Sequence, residues 1–194
     1  MNIEVFQEFP IRARVAYAIM CCERYVAAVY PKLDFRRAAS VMWKITDGSD
    51  YIDSALYRLV DIYPSYICSD EYENYEAFRN VGGGYTRITE DEFVFFKQLL
   101  YPCKDDAALE SIMRMICEIP MHFEGCTIEP LTKYPGLLND LRKINDILEQ
   151  HQIELPDYSI LAPYAVSNMS KDEFKRFDWW GMFIQPHGLS IYIA

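Results

Sequence analysis

The sequence predicts a mainly α-helical, single-domain bundle over residues 1–194 that ends in a small C-terminal β-hairpin. Apolar residues recur at spacings of three and four along most of the chain, which is the period of a helix face. The helical segments follow one another without the strand–helix alternation of an α/β fold. A hydrophobic fraction of 51%, with 15% aromatic residues, is sufficient for one well-filled core.

The first predicted helix follows Pro10 and is apolar on every side. Proline suits the first position of a helix because the N–H that it lacks would have no partner there. Residues 15–22 carry no charged side chain, and a helix without a polar face is normally the buried centre of a bundle. Pro31 ends this helix, which we therefore expect at the centre of the fold.

The next two helices are bounded by residues that favour helix ends. Asp34 can cap the second helix, which ends at Asp47-Gly48. Ser49 opens a third helix, which stops before Pro64 because the residue preceding a proline disfavours helical geometry.

Further along the chain, capping boxes and prolines mark the remaining helices. Thr89 with Glu92, and Ser170 with Glu173, have the spacing of a capping box at the start of a helix. Between them, a helix that begins after Asp105 or Asp106 is predicted to close at Pro120, and an amphipathic helix is predicted to start at Pro135. The hairpin is predicted in residues 179–194, where apolar residues alternate around a turn at 185–188.

The net charge of −10 lies entirely in the middle third of the chain. Residues 49–129 hold sixteen acidic and six basic side chains, whereas the two flanking thirds nearly balance. Negative potential repels nucleic acid and anionic membranes over a Debye length of about 8–10 Å. We therefore expect neither nucleic acid nor a membrane as partner, and a basic protein instead.

The best candidate for a binding site is an acidic segment in which carboxylates alternate with aromatic rings, together with the next acidic residues and one exposed indole. Tyrosine and tryptophan supply rigid contact area, and acids steer a basic partner. The predicted partner-binding residues are Asp70, Glu71, Tyr72, Glu73, Tyr75, Glu76, Glu90, Asp91 and Trp180. Two alternatives remain open. The acids could serve only to cap helices, including a short helix that starts at Ser69, and Trp179 and Trp180 could both pack in the core.

No motif for catalysis, a metal or a cofactor is present. The three histidines lie in separate segments without a partner at i+3 or i+4. Gly82–Gly84 is not followed by the lysine of a phosphate-binding loop, and a flexible turn is expected there. Glu23 lies beside the face that Arg14 and Arg24 share, which predicts an internal ion pair; the alternative is an acid in a pocket.

The cysteines and the N-terminus predict a cytoplasmic protein. The six cysteines contain no C-x-x-C spacing and fall mostly in apolar runs, so we expect buried, reduced thiols. The first ten residues place acids where a signal peptide has basic residues. No stretch approaches the roughly 20 apolar residues that cross a bilayer.

The N-terminal part also carries a pattern that resembles a known group of proteins. It consists of Arg14-x-x-x-Ala18-x-x-x-Cys22-Glu23-Arg24, then Trp43-x-x-Thr46-Asp47-Gly48, then Pro64 followed by Asp70-x-Tyr72-x-x-Tyr75. Over roughly the first eighty residues, this pattern resembles small α-helical immunity proteins of bacterial polymorphic-toxin systems. The resemblance implies a cytoplasmic protein that binds and blocks one cognate toxin without doing chemistry.

Three functional hypotheses follow from the sequence. The first is an acidic helical protein that binds and neutralises a basic toxin domain. The second is an enzyme with a non-standard site built from groups such as Glu23, Arg24 or the cysteines. The third is a self-associating structural subunit, such as a homodimer, for which a large apolar surface patch would be the sign.

Overall fold

The computed structural model describes residues 3–81, 86–124 and 138–193, and their regular structure is helical. The mainly α class is thereby confirmed. The α-helices are α1 Ile11–Val29, α2 Arg36–Asp47, α3 Ile52–Asp61, α4 Pro64–Ile67, α5 Tyr75–Val81, α6 Glu90–Leu100, α7 Ala107–Glu124, α8 Asn139–Gln150 and α9 Lys171–Phe177. Short 3-10 turns occur at Ile3–Glu8, Tyr101–Cys103, Tyr158–Tyr164, Val166–Asn168 and Asp178–Trp180. Within these described ranges, none of the helices combines the length and the apolarity that a bilayer crossing requires.

Helix α1 is the centre of the fold, as its charge-free sequence predicts. Every residue from Val15 to Cys22 is at most 5% exposed. The helix is covered by α2, α7 and α8, and α3 bridges α2 and α7. Helices α4 and α5 pack on α6, so α5 and α6 form an outer layer over one flank of the bundle.

Several predicted helix ends are confirmed, but three predicted caps are wrong. Asp34 and Ser49 are not the N-caps of α2 and α3, which begin after Phe35 and Tyr51, and Ser69 starts no helix because α5 begins only at Tyr75. Gly48 ends α2 with a φ of +72°, a left-handed conformation that glycine adopts without steric cost. Both capping boxes form, at Thr89–Glu92 and at Ser170–Glu173. Asp106 starts α7 by accepting hydrogen bonds from the backbone N–H groups of the second and third residues after it.

The expectation that Pro120 closes α7 is wrong, because the helix continues through it to Glu124. A proline inside a helix forfeits one backbone hydrogen bond. Cys117 and Ile119, just before that point, are buried, and their packing keeps the helical path. The predicted turn at Gly82–Gly84 and the predicted helix start at Pro135 lie outside the described residues.

The predicted C-terminal β-hairpin is also wrong. Residues 178–193, which we name the C-terminal strap, form a 3-10 turn followed by irregular chain that lies across α1 and α2. A hairpin requires its two arms to bond to each other, but the strap bonds to the helices instead. The N–H of Ile184 donates to the carbonyl of Thr46 at 2.9 Å, and the hydroxyl of Thr46 donates to the carbonyl of Ile184 at 2.9 Å.

Candidate functional site

Exposed carboxylates collect on the outer layer formed by α5 and α6. We name as the acidic face the six exposed acids of the chain before α5, of α5 itself and of the first turn of α6: Asp70, Glu71, Glu73, Glu76, Glu90 and Asp91. The structure thus places all six acids of the predicted binding segment at the surface of one helix pair.

Side-chain contacts hold this layer in place beneath the carboxylates. The rings of Phe78 on α5 and Phe93 on α6 lie 4.9 Å apart. The hydroxyl of Tyr75 donates to the carbonyl of Ile88 at 2.9 Å. The ammonium of Lys97 on α6 donates to the carbonyl of Tyr72, so the turn that carries Asp70 to Glu73 is fixed to α6.

The two tyrosines of the segment are structural and do not present their rings to a partner. Tyr72 is 4% exposed and packs edge-on against Tyr66 and Phe78, with ring centroids 5.4 Å apart in both cases. Tyr75 is half-buried and uses its hydroxyl within the fold. The acidic face therefore offers charge, and the aromatic contact area expected from the sequence is turned inward.

Little positive charge compensates the acidic face. Glu76 is 4.0 Å from Arg79 in an exposed pair, and an exposed pair at that distance contributes little. In the described part of the chain, the other five acids of the face have no ion-pair partner within 4.0 Å. Tyr101 and, to a smaller extent, Asp70 raise the pKa of the half-buried Lys104, so the face has one lysine in its electrostatic neighbourhood.

Other acids of the middle third stabilise the fold and are not available to a partner. Asp61 accepts from the backbone N–H groups of Arg87 and Ile88 at 2.6 and 3.3 Å. Glu92 pairs with Arg58 at 2.7 Å. The carboxylates that act in this way are Asp61, Glu92, Asp106 and Glu110. Some acids of the middle third therefore form internal bonds, whereas others make up the acidic face.

Trp180 is not part of the acidic face. It is half-buried in the 3-10 turn of the strap, where the guanidinium of Arg12 lies 5.7 Å from its ring. Arg12 is at the start of α1, whereas Tyr30 at its other end donates to Asp106 at the start of α7. These two ends of α1 are roughly 25 Å apart. Both Trp179 and Trp180 pack against the core, which agrees with the alternative that neither indole is a free contact residue.

Glu23 is fully buried, but it does not form the predicted ion pair. Its carboxylate accepts from the indole N–H of Trp43 at 2.8 Å, the hydroxyl of Ser190 at 2.6 Å and the backbone N–H of Ile191 at 2.9 Å. Burial raises the pKa of Glu23, and these hydrogen bonds oppose the shift. Glu23 therefore joins α1, α2 and the strap, a role that its position next to Arg24 in the sequence did not indicate.

Arg14 is also buried and finds a different partner from the one predicted. Its Nε donates to the carbonyl of Phe9 at 2.9 Å, and its two terminal nitrogens have no hydrogen-bond partner among the described residues. Burial lowers the pKa of Arg14 to about 10. The third member of the predicted group, Arg24, is at the surface and lies 3.9 Å from Glu154.

The cysteines and histidines are not assembled into a reactive site in the described residues. The five cysteines there are free and buried, as predicted; Cys126 lies outside them. Burial raises the pKa of Cys68 and Cys103 to about 11, so these thiols stay protonated at neutral pH, and the thiolate is the nucleophilic form. Within the same ranges, no three side chains of the metal-binding types cluster.

Comparisons of the chain with models of protein families, with curated proteins and with solved structures found no match. The function is therefore inferred from the residues and their geometry.

Proposed function

We propose that this protein binds and neutralises a basic protein toxin, in the manner of the immunity proteins that its N-terminal pattern resembles. The observation that carries this proposal is the acidic face: six exposed carboxylates on α5, on the turn before it and on the first turn of α6, with one weak ion pair among the described residues. A surface of this kind attracts a positively charged protein and repels nucleic acid.

The rigidity of the layer supports the same function. The turn before α5 is bonded to Lys97, α5 is packed on α6, and α6 begins with a complete capping box. A surface that is ordered before binding loses less conformational entropy when the complex forms. The charges then act mainly on the rate of association, because they orient the partner before contact.

The test is binding of the toxin encoded beside the gene, measured by stopped-flow association at low and high salt. Reversing Asp70, Glu71, Glu73 and Glu76 to lysine should slow association at low salt by at least about tenfold, with a smaller effect at high salt. The matched control reverses four exposed acids outside the face: Glu8, Glu154, Asp172 and Asp178.

The control variant has the same net charge as the face variant, so it separates a local effect from overall charge. It should slow association much less than the face variant. Equal slowing by both variants would remove the acidic face as the binding surface. Absence of any complex with that toxin at micromolar concentration would refute the proposed function itself.

A further inference from the structure

A groove between α7 and α8 is lined by two acids and two cations. It has a volume of about 420 Å³, within the range of about 300–1,000 Å³ that is typical of small-ligand sites. Each helix contributes residues at positions i, i+3, i+4 and i+7, which share one helix face. The lining residues are Ser111, Arg114, Met115 and Glu118 from α7, and Lys143, Asp146, Ile147 and Gln150 from α8.

The two cations of the groove are already engaged. Arg114 donates to Glu110 Oε1 from Nε at 3.1 Å and from a terminal nitrogen at 2.6 Å. Its guanidinium also lies 4.9 Å from the ring of Tyr63. Lys143 is 3.2 Å from Asp140. Each cation thus has an ion-pair partner that is not among the lining residues of the groove.

The two acids of the groove have no such partners. Within the described part of the chain, neither Glu118 nor Asp146 has a hydrogen bond or an ion pair. They lie on opposite walls, since one belongs to α7 and the other to α8. The floor between them is apolar, with Met115 5% exposed and Ile147 half-buried.

We propose that the α7–α8 groove receives one arginine side chain of the partner protein. The aliphatic part of an arginine can cover an apolar floor while its head group stays polar. Its planar guanidinium has five N–H donors and can address two carboxylates at once. The two acids without ion-pair partners favour a cationic side chain, and the apolar floor favours a side chain with a long aliphatic part.

This inference rests on the proposed function in one respect, since it takes the partner to be a basic protein. It concerns residues separate from the acidic face, so it can be tested without the toxin. The probe is N-acetyl-arginine methylamide, titrated into the full ¹⁵N-labelled protein and followed by two-dimensional NMR. The matched ligand is N-acetyl-citrulline methylamide, which has nearly the same shape and no charge.

The expected result is saturable movement of amide signals from residues 111–118 and 143–150 at millimolar arginine analogue. The citrulline analogue, and the double variant Glu118→Gln with Asp146→Asn, should each weaken binding by at least about fivefold. The control variant Glu8→Gln with Asp172→Asn removes two exposed acids outside both the groove and the acidic face and should leave the affinity unchanged. Both variants alter exposed side chains, and a dispersed spectrum verifies that they fold.

Three outcomes would overturn the inference: shifts that do not saturate, equal binding of the citrulline analogue, or equal binding by the Glu118 and Asp146 double variant. Any of these would leave the acidic face and its association test unaffected. Conversely, loss of association in the acidic-face variant does not alter the expected titration in the groove.

Discussion

Replacing Glu23 by alanine tests whether one buried carboxylate holds the C-terminal strap on the helices. The substitution removes the acceptor shared by Trp43, Ser190 and Ile191. Trp43 is 1% exposed, so its indole N–H would be left without a partner inside the core. Ser190 and Ile191 belong to the strap and can regain hydrogen bonds from water if the strap lifts.

The size of the effect follows from these three bonds. An unsatisfied buried donor costs about 1–3 kcal/mol, and each lost bond to a charged acceptor costs about 1.5–3 kcal/mol. Rehydration of the strap and removal of a desolvated charge offset part of this loss, because burial raises the pKa of Glu23. We expect the free energy of unfolding to fall by about 2–4 kcal/mol, which lowers Tm by roughly 5–15 °C in a chain of this length.

The assay is urea unfolding followed by circular dichroism, combined with hydrogen exchange of the strap amides. Tyr192 and Ile193 donate their backbone N–H groups to Ser190 Oγ, so these amides should lose protection before the helices do. Glu23→Gln is the matched control: it keeps an acceptor without the charge and should cost less than alanine. A loss below about 0.5 kcal/mol for Glu23→Ala, or unchanged protection of the strap, would refute the role assigned to Glu23.

Two further predictions concern Asp61 and the left-handed glycines. Burial raises the pKa of Asp61 from 3.8 to about 6. Because the pKa is higher in the folded than in the unfolded protein, protonated Asp61 contributes its full stabilisation below a pH of about 3.8, and this contribution is lost as pH rises through about 6. Between pH 7 and pH 4, wild type should therefore gain up to about 3 kcal/mol relative to Asp61→Asn in urea unfolding, and parallel pH profiles would contradict this. Gly48→Ala should lower the free energy of unfolding by about 2–3 kcal/mol, and Gly188→Ala by only about 1 kcal/mol. Both glycines have positive φ, but of the two only Gly48 would bring a Cβ against a side chain, the Phe183 ring at 2.4 Å. Equal losses in unfolding free energy would show that this close contact is unimportant.

The features predicted correctly from the sequence are those set by neighbouring residues. The capping box of Thr89 and Glu92 and the glycine that ends α2 act within one helical turn, so their residue types are sufficient to place them. The burial of α1 follows from the absence of charge between residues 15 and 22. The surface position of the six acids was also predictable, because charged side chains are seldom buried.

The errors arise where the deciding partner is distant in the chain. Thr46 and Ile184, whose bonds replace the hairpin, are 138 residues apart. Glu23 and Ser190 are separated by 167 residues, so the arginine next to Glu23 in the sequence was a misleading guide. Tyr72 was expected at the surface because acids flank it, but the ring packing with Phe78 outweighs that local polarity.

The dependence of α1 on the strap has a consequence for biosynthesis. Helix α1 is synthesised early, whereas Ser190 and Ile191, which donate hydrogen bonds to its Glu23, are translated later than α2, α7 and α8. At about 5–20 residues per second, the ribosome needs roughly 8–33 s to make the intervening chain. During that interval α2, α7 and α8 can already cover α1, but Glu23 lacks the two hydrogen-bond donors that the strap supplies.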